Sequence, residues 1–257
     1  MEPATIAMAC GVAFLAGFVD AVAGGGGLIQ LPGLILLLPH AGVVAALGTN
    51  KLAGAAGTSA ALFRYSRQIQ IPWRLVLPSA GLAFLGSMGG AAVSTMLPAS
   101  ALGPVVVALL FAVTVWTFLR RDFGAEPRPP GPHAGAIAAG IGLLLGFYDG
   151  FFGPGTGTFL LFLFVSTLSL DFLRASSSAK VVNLATNLAA LLVFVPNGQV
   201  LWSIGLPMAL FNVAGATLGA RVAIARGSPF VRRIFQLVTV ALLIKLAAEL
   251  LGPGAGG

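Results

Sequence analysis

Ala16–Leu34 reads AGFVDAVAGGGGLIQLPGL, and 129 positions later Leu145–Leu163 reads LGFYDGFFGPGTGTFLLFL. The two stretches align without a gap, Gly17-Phe18-Val19-Asp20 on Gly146-Phe147-Tyr148-Asp149. In the same register Lys51 falls on Lys180, Gln70 on Gln199, Trp73 on Trp202, Pro78 on Pro207, Gly86 on Gly215 and Gly90 on Gly219. About two dozen identities accumulate over the first ninety positions. The period is far longer than that of a solenoid, so the chain is a duplication of one large unit. An acid, a glycine cluster and a lysine recur in it.

Charged residues make up 8% of the 257 positions and hydrophobic ones 58%, with a mean hydropathy of +0.99. These values exclude a soluble globular protein and imply an all-α integral membrane protein. Spanning-length apolar segments fall at 43–63, 75–96, 101–119, 176–195, 203–223 and 231–251. Two longer regions are interrupted: 5–39 by Gly24–Gly27, and 135–170 by Gly153-Pro154-Gly155-Thr156-Gly157.

The net charge of +7 would suggest nucleic acid in a soluble chain, but all eleven arginines lie in or beside connections. The connections near 39–42, 97–100 and 195–200 carry no Lys or Arg. If each interrupted region crossed once, the arginines would divide six against five. If each enters and returns on its own side, all eleven fall on one face, as the positive-inside rule requires. Three full crossings per unit then force the second unit to be inverted, a plan used by secondary transporters. The expectation is a first repeat over 1–119, a cytoplasmic Pro-rich linker over 120–134, a second repeat over 135–251 and a disordered tail over 252–257. Each repeat is a re-entrant or broken-helix hairpin plus three helices. Both termini would lie outside and the arginine loops in the cytoplasm, across a bacterial inner membrane. The N-terminal apolar run has no basic leader and carries the internally repeated motif, so it does not read as a signal peptide. Cys10 is the single cysteine, which leaves no disulfide within the chain.

Asp20, Asp149, Lys51 and Lys180 stand in apolar surroundings, where an ionised group costs at least about 2.5 kcal/mol. The functional reading is that the two lysines attract an anion near the midplane. The structural reading is that Asp20 pairs with Lys51 and Asp149 with Lys180, pinning each hairpin to the helix after it. Proton coupling through the aspartates belongs with the first reading. Backbone freed by Gly25, Gly26 and Gly27 and by Gly155, Thr156 and Gly157 must be buried or line a polar cavity. Half-helices beginning there aim positive dipole ends inward. Polar side chains gather round each lysine: Gln30, Thr49 and Asn50 in the first repeat, Ser178, Asn183 and Asn187 in the second. Asn50 and Lys51 share a helix face with Gly54 and Thr58, as Lys180 does with Asn183 and Asn187. Asn50 is matched by Ala179 and Gln30 by Phe159, so the half-sites differ and a ligand should bind off the pseudo-axis.

With Gly48-Thr49-Asn50-Lys51-Leu52 added to Ala16–Leu34, and with the second-half motifs, the sequence resembles the sulfite exporter TauE/SafE family of bacterial membrane proteins over about 10–250. The resemblance implies transport of sulfite, sulfonates or related organic acids, with Asp20, Gly24–Gly27, Asn50 and Lys51 in motif positions. The expected partners are a small anion and the lipid bilayer, with no nucleic acid. No metal cluster, nucleotide loop or covalent cofactor site is visible in the sequence, and an enzyme is not expected. An anion channel would share the basic cavity. An intramembrane aspartyl protease is suggested by Tyr148-Asp149 but lacks the Gly-x-Gly-Asp context at Asp20. A serine protease lacks a histidine base, because His40 and His133 lie in connections. A non-transporting assembly factor is the bland alternative. Oligomeric state is not readable: Gly86 with Gly90, and Gly215 with Gly219, suit internal packing or dimerisation equally.

Overall fold

The computed structural model describes residues 2–97, 131 and 133–251, with side chains as far as 235 and at 237. The expected crossing at 101–119, the linker at 120–134 except for positions 131, 133 and 134, and the tail at 252–257 lie outside the described residues. Those described form eight helices and no strand. They are α1 (Pro3–Ala23), α2 (Gly27–Leu37), α3 (Val43–Ser66), α4 (Trp73–Met96), α5 (Ala134–Phe151), α6 (Thr156–Leu168), α7 (Phe172–Phe194) and α8 (Trp202–Leu251). The apolar segments at 203–223 and 231–251 are both part of α8, broken at Gly227 (φ 72°, ψ −174°). Pro229 sits two residues further on, where its fixed φ suits a new first turn.

Among the described residues five helices are long and apolar enough to cross a membrane: α1, α4, α5, α7 and α8 as far as Phe235. With 24 residues, α3 is about 36 Å long at 1.5 Å per residue. Its hydropathy is reduced by the Gly, Thr, Asn and Lys that it turns inward. By contrast α2 has 11 residues and α6 has 13, about half a crossing each. Each hairpin therefore has one long arm and one short arm. Gly24 and Gly25 at the first tip, and Gly153 and Gly155 at the second, all have positive φ, which ends the long arm and lets the chain reverse. A side chain added at Gly26 would strike Ala16 and Asp20, and one at Gly33 would strike Val12. The short arm therefore runs back along the long one.

Each long arm packs on the other repeat. Gly215 lies against Phe14 and Phe18, and Gly219 against Phe18 and Ala21, so α1 and α8 run side by side in one direction. At the matching positions Gly86 lies against Leu143 and Phe147, and Gly90 against Phe147 and Phe151, joining α4 to α5 in the same way. These glycines, which the sequence left open to dimerisation, serve contacts within the chain. Without side chains at the crossing, the backbones approach closely, the usual device where lipid offers no hydrophobic drive. The outer surface is apolar, with Leu36, Met96, Leu144 and Leu210 between 72% and 82% exposed. Lys51, Lys180, Gln30 and Asn212 are buried instead.

Candidate functional site

A helix that stops inside a membrane protein leaves carbonyls that something must satisfy. At the end of α1 the Asp20 carbonyl accepts from the Gly24 N–H at 2.9 Å and from Lys180 Nζ. The Ala21 carbonyl accepts from the Tyr65 hydroxyl at 2.8 Å, and the Val22 carbonyl from Ser176 Oγ at 3.1 Å. Lys180 thus lies where a cation complements the negative end of a helix dipole. Tyr65 and Ser176 correspond to Phe194 and Leu47 across the duplication, so the second hairpin lacks this set of donors.

The ion pairs cross between repeats. Lys51 Nζ donates to Asp149 Oδ2 at 2.6 Å, and Lys180 Nζ to Asp20 Oδ2 at 2.8 Å. The pairing of Asp20 with Lys51 and of Asp149 with Lys180, read from chain proximity, is therefore corrected. The cause is the exchange of arms: with α1 packed on α8 and α5 on α4, each aspartate is carried to the other repeat's lysine. The two pairs also differ from one another. Lys180 is fully buried and holds both the carboxylate and the main-chain carbonyl of Asp20. Among the described residues Lys51 makes a single hydrogen bond, to Asp149, and it borders a cavity.

That cavity lies where the hairpin tips meet. A side chain at Gly24 would collide with the Gly157 backbone, and one at Gly27 would come within 3.2 Å of Pro154 Cα. The space open to water centres is about 40 Å³, room for a few waters or one small oxyanion, since one water needs roughly 10–15 Å³. Of the residues expected to form a site, Gly25, Gly26, Gly27, Gln30, Asn50, Lys51, Gly155, Gly157, Asn183 and Asn187 line it, as do Asp20 and Asp149. Four do not line it. Lys180 is tied to Asp20. Thr49 Oγ1 donates to the Ala45 carbonyl at 2.6 Å and accepts from the Leu201 N–H at 3.0 Å. Thr156 Oγ1 donates to the Gly153 carbonyl at 2.7 Å. Ser178 Oγ is buried with no partner among the described residues.

Gly54 and Thr58 also line the cavity, as their shared face with Lys51 implied. Asn212 was missed by the sequence reading. Its Nδ2 donates to Gln30 Oε1 at 2.7 Å, while Gln30 Nε2 donates to the Asn50 carbonyl at 3.3 Å. The counterpart of Asn212 is Ala83, so repeat symmetry hid it. An asparagine inside an apolar span was the available signal. Across the duplication Gly54 and Thr58 correspond to Asn183 and Asn187. At these two positions α7 therefore presents amides where α3 presents a glycine and a threonine.

The chain matches the family described as "Sulfite exporter TauE/SafE" over residues 9–246. It is 35% identical to the "Probable membrane transporter protein ORF9" of Sinorhizobium sp., over 92% of this chain and 90% of that protein. It is 32% identical to the "Probable membrane transporter protein YfcA" of Escherichia coli (strain K12), over 91% of this chain and 87% of that one. With a "Probable membrane transporter protein" of Haemophilus influenzae the identity is 32%, over 93% and 92%. No solved structure matches significantly. A match over nearly the whole length, joined to a polar centre inside an apolar helical body, shows that the chain belongs to the sulfite exporter TauE/SafE family of membrane transporters.

Proposed function

We propose that the protein is a secondary transporter of small anions, with sulfite, sulfonates or related organic acids as the substrate class, working by alternating access around the cavity between the hairpin tips. The observation that carries this reading is the convergence of the N-termini of α2 and α6, one from each repeat, beside the Lys51 ammonium in a space of about 40 Å³. The positive dipole ends of two helices and a buried ammonium favour an oxyanion. Gln30 and Lys51 are each only 2% exposed. A centre so closed suits a carrier that opens alternately better than a continuous channel.

Two lysines balance two aspartates here, so the unloaded centre is neutral. A bound monoanion brings it to a net negative charge, which low-dielectric surroundings penalise unless one carboxylate takes up a proton. Asp149, beside Lys51, is the proposed carrier, and anion movement is coupled to proton movement. Inversion of the two repeats in a bacterial inner membrane, with the arginine ends in the cytoplasm, belongs to the same proposal. It is supported by arginine placement and by the helix directions.

Thermal-shift screening of purified protein against sulfite, sulfate, thiosulfate, taurine, sulfoacetate and simple carboxylates tests the anion site. At least one should stabilise the wild type and lose its effect in Lys51→Met/Asp149→Asn, a variant that removes both partners together. The proposal fails if no anion stabilises the protein or if the shift survives in that variant.

A further inference from the structure

A second basic pocket lies well away from the hairpin tips. Arg64, on the last turns of α3, and Arg221, on α8, line one cavity with Gln68, Ile224 and Ala225. It offers about 130 Å³. Two guanidinium groups on neighbouring helices repel, and no carboxylate lines the space to offset that. Among the described residues neither arginine has an ion pair. Arg64 is thirteen residues beyond Lys51, which is about 20 Å along the helix, near the level at which a hydrocarbon core of about 30 Å gives way to headgroups. Close by, the Arg67 guanidinium lies 4.3 Å from the Phe63 ring centroid. Trp73, half-exposed, begins α4 as interfacial aromatics do. The duplication does not require this arrangement: Arg64, Gln68 and Arg221 correspond to Val193, Asn197 and Ala92.

We infer that Arg64, Arg221 and Gln68 form a second anion site, for a phosphate-type oxyanion held by the two guanidiniums, separate from the transport cavity. Planar guanidiniums bind tetrahedral oxyanions through paired N–H donors. The amide of Gln68 adds a donor, and Ile224 and Ala225 supply an apolar floor. Two sources present this chemistry: the phosphodiester of an anionic phospholipid, and a soluble oxyanion.

Purified protein in neutral detergent is titrated with phosphatidylglycerol, with phosphatidylcholine and, separately, with inorganic phosphate, and its melting temperature is followed. Phosphatidylglycerol is expected to raise it by several degrees more than phosphatidylcholine, and Arg64→Gln/Arg221→Gln should abolish the difference. Stabilisation by inorganic phosphate with no preference for phosphatidylglycerol, again lost in the double variant, supports the site with a soluble ligand. A double variant that responds like the wild type, or a wild type that responds to neither, overturns the inference. If the double variant does not fold, Ala225→Glu places a carboxylate between the arginines. It should melt higher without added lipid and no longer respond to either probe; an unchanged response overturns the inference. Neither result depends on Lys51, so failure here leaves the transport proposal standing.

Discussion

The two hairpin tips descend from one sequence, yet one is closed by its lysine and the other leaves its lysine at a cavity. At the first tip Lys180 satisfies a carboxylate and a helix-end carbonyl of Asp20 together, with Tyr65 and Ser176 covering the next two carbonyls. At the second tip Lys51 has Asp149 alone and borders the space where the amides of Gln30, Asn50, Asn183 and Asn187 gather. After duplication one copy of a buried pair can be committed to holding a broken helix in place. The other is then available for ligand. Equal sequence motifs need not mean equal roles.

The largest expected effects come from halving these pairs. Lys51→Ala strands the buried Asp149 carboxylate and should cost about 3–5 kcal/mol in stability, measured by detergent denaturation or by melting; Lys180→Ala leaves the part-buried Asp20 carboxylate without its ammonium and should cost less. Double replacement separates the roles. Lys180→Met/Asp20→Asn should recover much of that stability and keep anion-dependent stabilisation, whereas Lys51→Met/Asp149→Asn should recover stability without it. Equal loss of anion response in both doubles would break the asymmetry. A double-mutant cycle sharpens the crossed pairing: Lys51 should couple to Asp149 by more than about 1 kcal/mol, as groups in direct contact do, and only weakly to Asp20.

Smaller effects are expected around the rim. Tyr65→Phe removes the donor to the Ala21 carbonyl and should cost about 1–3 kcal/mol, seen as a lower melting temperature with anion affinity unchanged. The counterpart Phe194→Tyr should bring no matching gain. Asn212→Ala releases the Gln30 amide and should weaken anion binding by about tenfold or less, the scale of one hydrogen bond of about 1 kcal/mol. An unchanged affinity would remove Asn212 from the binding wall.

Much of this centre was legible in the chain. Asp20, the glycine run, Lys51 and their copies were marked by being polar or helix-breaking in hydrocarbon, where each such group needs a reason. Thr49, Thr156 and Ser178 were marked by the same signal yet lie off the cavity. Small hydroxyls in a helix bond readily to nearby backbone, and only packing tells which faces a ligand. Asn212 was overlooked because comparison of repeats rewards what recurs, and it stands opposite an alanine.

By itself the sequence determined the solvent, the duplication and the places where helices break, because these depend on composition and on backbone freedom within a few residues. Which lysine meets which aspartate depended on the tertiary structure. A buried ammonium is satisfied by any carboxylate within reach, and reach is set by the glycine seams that dock α1 on α8 and α5 on α4. Those seams join positions about 60 residues apart between α4 and α5 and about 200 apart between α1 and α8, separations at which no local pattern specifies a partner.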